Sequence, residues 1–132
     1  MPPLAITSDP KFGDCSVRTI RLHHEALVVE FQHDNTRETT SITFRNVRFF
    51  QIGSDASNLI LDRIDHYDGL HTTYSIPTIK RIVCDEENLS LSARTTIERS
   101  KSGVYHLVPL AGCDGIVICD SAERAAWSPP GN

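Results

Sequence analysis

The stretch FRNVRFFQI, residues 44–52, reads as a β-strand whose apolar side chains change phase halfway along. They lie first at even positions, then at odd ones, then at even ones again: Ile42 and Phe44; Val47 and Phe49; Phe50 and Ile52. Because successive side chains of a strand point to opposite faces, such a slip would turn the apolar set towards solvent. Two interpretations fit this pattern. The strand contains a β-bulge near Asn46, or it is buried on both faces beyond residue 47.

Other segments show the two-residue alternation that is typical of half-buried strands. They are separated by short turn signals, which favours antiparallel pairing. Pro109 lies inside an apolar segment, and since proline has no N–H it predicts a sheet edge or a bulge there. The predicted strands are 15–23, 26–32, 104–110 and 115–120, with a hairpin at 79–93 turned at DEEN. These elements predict a mainly-β chain, either an antiparallel β-sandwich or a partly closed barrel.

The segment NLILDRIDHYDG is ambiguous between a strand and a short helix. A strand over 58–64 is favoured, and a short helix near 56–67 is the alternative. In the helical alternative Leu59, Arg63 and Tyr67 would share one face. No other part of the chain predicts a helix.

The 132 residues suit one domain, 1–132, with an irregular lead-in over 1–13 and a mobile tail over 128–132. No apolar run approaches the ~18 residues of a membrane-spanning helix, and no secretory signal is evident. The four cysteines, Cys15, Cys84, Cys113 and Cys119, form no C-x-x-C pair and are interpreted as reduced thiols. A cytoplasmic protein with no membrane attachment is therefore expected.

The formal charge of −4 is concentrated in the middle third of the chain. Residues 51–90 hold seven acidic and three basic side chains, whereas the flanking parts are balanced. An acidic field disfavours nucleic acid as a partner and favours a basic protein. Four aspartates within DASNLILDRIDHYD are the candidate partner-binding residues: Asp55, Asp62, Asp65 and Asp68. The competing interpretation is a solvated acidic face without a partner.

No arrangement of residues predicts a cofactor, a metal site or a catalytic centre. His23 and His24 are adjacent, so on a strand they point to opposite faces and do not chelate together. The nucleophile elbow G-x-S-x-G and the Gly-rich phosphate loops are both missing from the sequence. An enzyme is the less favoured class. If the chain is a small β-barrel enzyme or ligand carrier, the candidate pocket residues are His24, Arg45, Arg48 and His106.

Three segments in this order, DCSVRTIRL (14–22), ALVVEFQ (26–32) and FRNVRFFQI (44–52), resemble small bacterial β-rich proteins. Some of those proteins are grouped with the immunity proteins of polymorphic and contact-dependent toxin systems. The ending, YHLVPLAGCDGIVICDSAERAAW (105–127), is similar to theirs. The resemblance implies a mostly antiparallel domain that binds another protein, and it brings no catalytic residues.

The sequence therefore favours a non-catalytic, cytoplasmic protein-binding domain. An immunity-like or antitoxin-like role, in which an acidic surface meets a basic toxin domain, is its most concrete form. The enzyme or ligand carrier with a His/Arg-lined pocket is the second hypothesis. A module that forms a homodimer through an exposed strand is the third.

Overall fold

The computed structural model describes residues 6–7, 9–52, 59–68, 103–111 and 115–130. Within these residues one 3-10 helix is followed by eight strands. The helix spans Pro10–Phe12, and Asp9 caps it by accepting a hydrogen bond from the Lys11 N–H. The strands are β1 (Cys15–His23), β2 (Ala26–His33), β3 (Thr39–Arg45), β4 (Phe49–Gln51), β5 (Ile60–Asp68), β6 (Gly103–Ala111), β7 (Gly115–Cys119) and β8 (Ser121–Arg124).

The eight strands form one sheet in the order β4-β7-β6-β5-β1-β2-β3-β8, and every pairing is antiparallel. The predicted mainly-β antiparallel architecture is confirmed. The order is open, since β4 and β8 stand at its two ends and do not pair with each other. Among the described residues, no helix has the length and apolar character needed to cross a membrane.

Two bent chain segments bring the ends of the sheet together. β3 continues into β4 through residues 46–48, and β7 continues into β8 through Asp120. The segment formed by β3 and β4 runs beside the segment formed by β7 and β8. Its first part pairs as β3–β8 and its second part as β4–β7. Two backbone bonds join these ladders at the bend, because Asp120 N–H donates to Arg45 O and Arg48 N–H donates to Ile118 O. The sheet is thus a curved, partly closed layer.

The phase slip in the opening stretch coincides with a change of register at this bend. Phe44 lies opposite Ala122, whereas Phe50 lies opposite Val117. At the bend, the three residues 46–48 therefore lie opposite only two residues, 119–120. Asn46 has a φ of 55°, a left-handed conformation of the kind that bulges use. All three residues of β4 are half-buried, so both interpretations of the stretch contain part of the answer.

Large apolar side chains fill the inner face of the sheet. The fully buried ones include Phe12, Phe31 and Phe44. Phe12 meets Phe31 edge to face, with ring centroids 5.5 Å apart. β7 is buried along its whole length, so its run of apolar residues reflects burial on both faces. Val104, Ile116 and Ile118 are fully buried outside the main core cluster, in alternation with core residues of β6 and β7.

The ambiguous segment is a strand, and its helical alternative is wrong for residues 60–68. Eight of its nine residues have partners in β6, and this pairing satisfies backbone groups that a helix would have bonded internally. The register shifts on both sides of Leu61, which faces Pro109, and this fits the irregularity that the proline predicts. The predicted DEEN hairpin and Asp55 lie outside the described residues.

A polar and aromatic cluster joins the lead-in to the last strand. Arg124 Nη2 lies 3.2 Å from Asp9 Oδ2, and the Trp127 indole N–H donates to the same oxygen at 2.9 Å. The Arg124 guanidinium also lies over the rings of Phe12 and Trp127, at 5.8 and 6.0 Å from their centroids. Beyond it, Ser128 exchanges two backbone bonds with Thr39. The predicted mobility of the tail stays a prediction.

Candidate functional site

Two of the four candidate aspartates lie on the exposed side of β5 and share one arginine. Arg63 Nη1 lies 2.8 Å from Asp62 Oδ2, and Arg63 Nε lies 3.1 Å from Asp65 Oδ1. The side chains of Asp62 and Asp65 are 45% and 28% exposed. We call Asp62, Arg63 and Asp65 the β5 acidic surface. Two carboxylates and one guanidinium leave this surface with one negative charge in excess.

Asp65 has a second hydrogen-bonding neighbour in the same strand. The Tyr67 hydroxyl donates to Asp65 Oδ2 at 3.4 Å. Burial raises the pKa of the Tyr67 phenol, and the adjacent Asp65 charge raises it further, so the hydroxyl keeps its proton at neutral pH. The arrangement orients the Asp65 carboxylate rather than creating a proton-transfer pair. Asp68 ends β5, where its backbone lies opposite Gly103.

The four candidate pocket residues are not brought into one pocket. His106 lies in the middle of β6 and is only 7% exposed, opposite Asp65 on one side and Ile116 on the other. The other three lie around the tip of the β1–β2 hairpin. His24 is the first residue of its two-residue turn, while Arg45 and Arg48 flank the bulge at Asn46.

The hairpin turn and the bulge form a surface groove with two lobes, which we call the hairpin groove. Both lobes are lined by His24 and Glu25, so the turn lies between them. The polar lobe has a volume of about 310 Å³ and the apolar lobe about 320 Å³. The polar lobe is also lined by His23, Ala26, Arg45 and Asn46, and the apolar lobe by Leu22, Val47, Arg48, Phe49 and Phe50.

Each arginine of the groove faces an acidic side chain of the neighbouring bent segment. Arg45 Nη2 lies 3.4 Å from Glu123 Oε2, and Arg48 Nη2 lies 3.4 Å from Asp120 Oδ2. These distances are longer than the 2.8 Å between Arg63 and Asp62. Sequence reasoning identified His24 and the two arginines but missed Leu22, Glu25 and Val47. Those residues reach the groove through the turn and the bulge, and only the phase slip hinted at that geometry.

The described residues hold no group of three or more His, Cys, Asp or Glu side chains with the geometry of a metal site. The two histidines of the hairpin, His23 and His24, contact each other edge to face with ring centroids 4.4 Å apart. Cys15 and Cys119 are free, buried thiols. Burial raises the pKa of each to about 12, so neither is an activated nucleophile.

Comparisons with known proteins add no family to this description. No family model matches the chain, and neither the curated proteins nor the solved structures gave a match. The resemblance to immunity proteins therefore stays a prediction.

Proposed function

We propose that this chain is a non-catalytic protein-binding domain that recognises a basic partner protein through the β5 acidic surface. The observation that carries the proposal is the arrangement of Asp62 and Asp65, which lie on the exposed side of one strand with a single arginine between them. In its most concrete form the role is that of an immunity protein, which occludes a basic toxin domain. Asp55 and Asp68 belong to the same acidic stretch of sequence.

The electrostatics of this surface suit recognition better than stabilisation. Exposed ion pairs contribute little to folding because solvent screens them, so Arg63 does little for the stability of β5. A lysine or arginine of a partner gains more, because it meets two carboxylates that a rigid strand already holds in place. Charges of this kind raise the association rate and lose strength as salt increases.

The packing of the inner face supports a surface function over a ligand carrier. Residues such as Phe31, Ile42 and Leu107 are fully buried and occupy the space in which a barrel of this kind would hold a ligand. Within the described residues, the two buried thiols and the scattered histidines form no assembled pair of nucleophile and base. These features favour binding through the outer surface.

The test is affinity capture from cells of the source organism, with the protein immobilised, followed by calorimetry on the recovered partner at low and high salt. Asp62→Asn combined with Asp65→Asn removes two charges at nearly constant volume. The expected result is a partner with a basic surface whose affinity falls about tenfold or more in this double variant. The wild-type affinity should also fall as salt rises.

Glu30→Gln combined with Glu123→Gln is the matched control, because it removes the same charge from strands β2 and β8. This control should bind the partner as the wild type does. Equal loss of affinity in both double variants would show a general charge effect and contradict the proposed surface. The proposed surface would also be contradicted if the affinity of the partner changed neither with salt nor with the aspartate substitutions.

A further inference from the structure

The apolar lobe of the hairpin groove is lined by one exposed leucine and two half-buried phenylalanines. Leu22 is 58% exposed, whereas Phe49 and Phe50 are half-buried, and Phe50 also packs against the core. Among the described residues, the turn, the bulge and β4 line this lobe.

Backbone bonds hold the groove in shape. The Val47 N–H donates to Glu25 O at 2.9 Å and so ties the bulge to the hairpin turn. His24 and Asn46 both have a φ of 55°, which places two left-handed residues on the groove. Residues in such conformations cluster at sites where a particular backbone shape is required. A rigid groove of this kind loses little entropy when it is filled.

Arg48 supplies the positive charge of the apolar lobe, which Glu25 lines as well. Arg48 projects at the apolar lobe with its side chain 41% exposed, and its pair with Asp120 is 3.4 Å long. Charge-assisted N–H···O bonds are usually about 2.7–2.9 Å long, so this pair is loose and a better-placed carboxylate can replace it. Arg45 is held in the same loose way at the polar lobe.

We propose that the hairpin groove binds an extended segment of a partner protein that carries an apolar side chain next to a carboxylate. The apolar side chain would pack between Leu22 and Phe49, and the carboxylate would pair with Arg48. A lobe of about 320 Å³ is at the small end of pockets that hold whole ligands, and it suits one or two side chains. The inference does not depend on the β5 acidic surface.

The experiment titrates ¹⁵N-labelled full-length protein with a short anionic probe and follows the amide resonances. The probe is N-acetyl-phenylalanyl-glutamate amide, and its uncharged twin carries glutamine in place of glutamate. Saturable shifts are expected at the amides of Leu22, Val47 and Phe49 at millimolar probe. The glutamine twin should bind about tenfold more weakly or worse, because it lacks the charged partner of the arginine.

Three variants separate the groove from general charge effects. Arg48→Gln should weaken the probe about tenfold or more, whereas the exposed neighbour Arg21→Gln should leave its affinity within about twofold. Leu22→Gln removes apolar wall at an exposed position and should also weaken binding. Amide spectra that keep the wild-type dispersion confirm that each variant is folded.

Several outcomes would overturn the proposal. They are the absence of saturable shifts at millimolar probe, equal binding of the two twins, and equal effects of Arg48→Gln and Arg21→Gln. Hexanoate that binds as tightly as the peptide would show that the groove takes free small acids, and would also overturn it. A failure here leaves the β5 surface untouched, since that surface is tested with a basic partner.

Discussion

Asn46 is the residue at which the opening strand changes its register. Its φ of 55° lies in the left-handed region, where a residue with a Cβ pays about 1–2 kcal/mol. Asparagine tolerates this region because its short side chain bonds to nearby backbone, and glycine tolerates it without steric cost. The identity of this side chain is therefore part of what places Arg45 and Arg48 on either side of the bend.

We expect Asn46→Ala to lower the free energy of unfolding by about 1 kcal/mol, and Asn46→Gly to leave it nearly unchanged. Urea unfolding followed by circular dichroism measures both. The control is Asn35, whose φ is not in the left-handed region, so there Ala should be at least as stable as Gly. The same order of Ala and Gly at both positions would contradict the conformational explanation.

Burial makes the thiols of Cys15 and Cys119 unreactive. Neither side chain is exposed, and the Cys15 Sγ–H donates to the Lys11 carbonyl at 2.9 Å. Burial, reinforced by nearby aspartates, raises the pKa of Cys15 from 9.0 to about 12. Burial likewise raises the pKa of Cys119 to about 12. The folded protein thus holds both thiols in the neutral form.

Alkylation and alkaline unfolding should both report this protonation. Iodoacetamide at pH 8.5 should label Cys15 and Cys119 much more slowly in the native protein than in urea, as peptide mass mapping measures. Since both pKa values are raised on folding, their contribution to stability is complete below pH 9 and declines as the pH rises towards 12. Rapid native labelling of either thiol would contradict this description.

At the scale of single elements, the sequence predicted strand irregularities wherever they change the alternation of apolar residues within a few positions. The phase slip of residues 44–52 predicted the bulge, and Pro109 predicted an irregular ladder. The apolar pattern also changes phase between Val17 and Ile20. The structure has a register shift between Val17 and Thr19 of β1, which this change of phase could have predicted. Short-range periodicity reports which face a residue occupies, and so it detects such features without knowledge of the partner strand.

Other features depend on residues far apart in the sequence and left no local signal. The β5 strand is longer than predicted because its end pairs with the start of β6. The cluster of Asp9, Arg124 and Trp127 joins the two ends of the described chain, and no spacing rule predicts such a contact.

That cluster yields a prediction about β8. The Arg124 side chain is only 6% exposed, so Arg124→Met leaves the Asp9 carboxylate poorly compensated. We expect a loss of about 2–4 kcal/mol in the free energy of unfolding, since breaking a buried ion pair exposes its full desolvation cost. Fluorescence of Trp127, the one tryptophan of the chain, follows the transition in urea.

The exposed Arg21→Met is the control for this substitution and should change stability by less than about 0.5 kcal/mol. Asp9→Asn added to Arg124→Met should recover part of the loss, because it removes the uncompensated charge. An Arg124→Met variant as stable as the Arg21 control would show that the cluster contributes nothing to the attachment of β8.

At the scale of the whole molecule, the described part of the curved sheet presents two candidate binding surfaces. The β5 acidic surface lies on the strand between β6 and β1, whereas the hairpin groove lies at the bend that joins β3 to β4. The acidic excess lies in the middle third of the sequence, but the sequence did not show that Arg63 compensates half of the charge on Asp62 and Asp65. The inner face is filled, and both proposed binding sites lie on the outside of the sheet.

The position of the groove, and the curvature of the sheet, both depend on the register change at Asn46. Cross-strand nuclear Overhauser contacts measure that register. The structure predicts contacts between Phe44 and Ala122 and, beyond the bend, between Phe50 and Val117. Contacts that keep one register throughout, and so place Phe50 opposite Ile116, would contradict the bulge and the groove built on it.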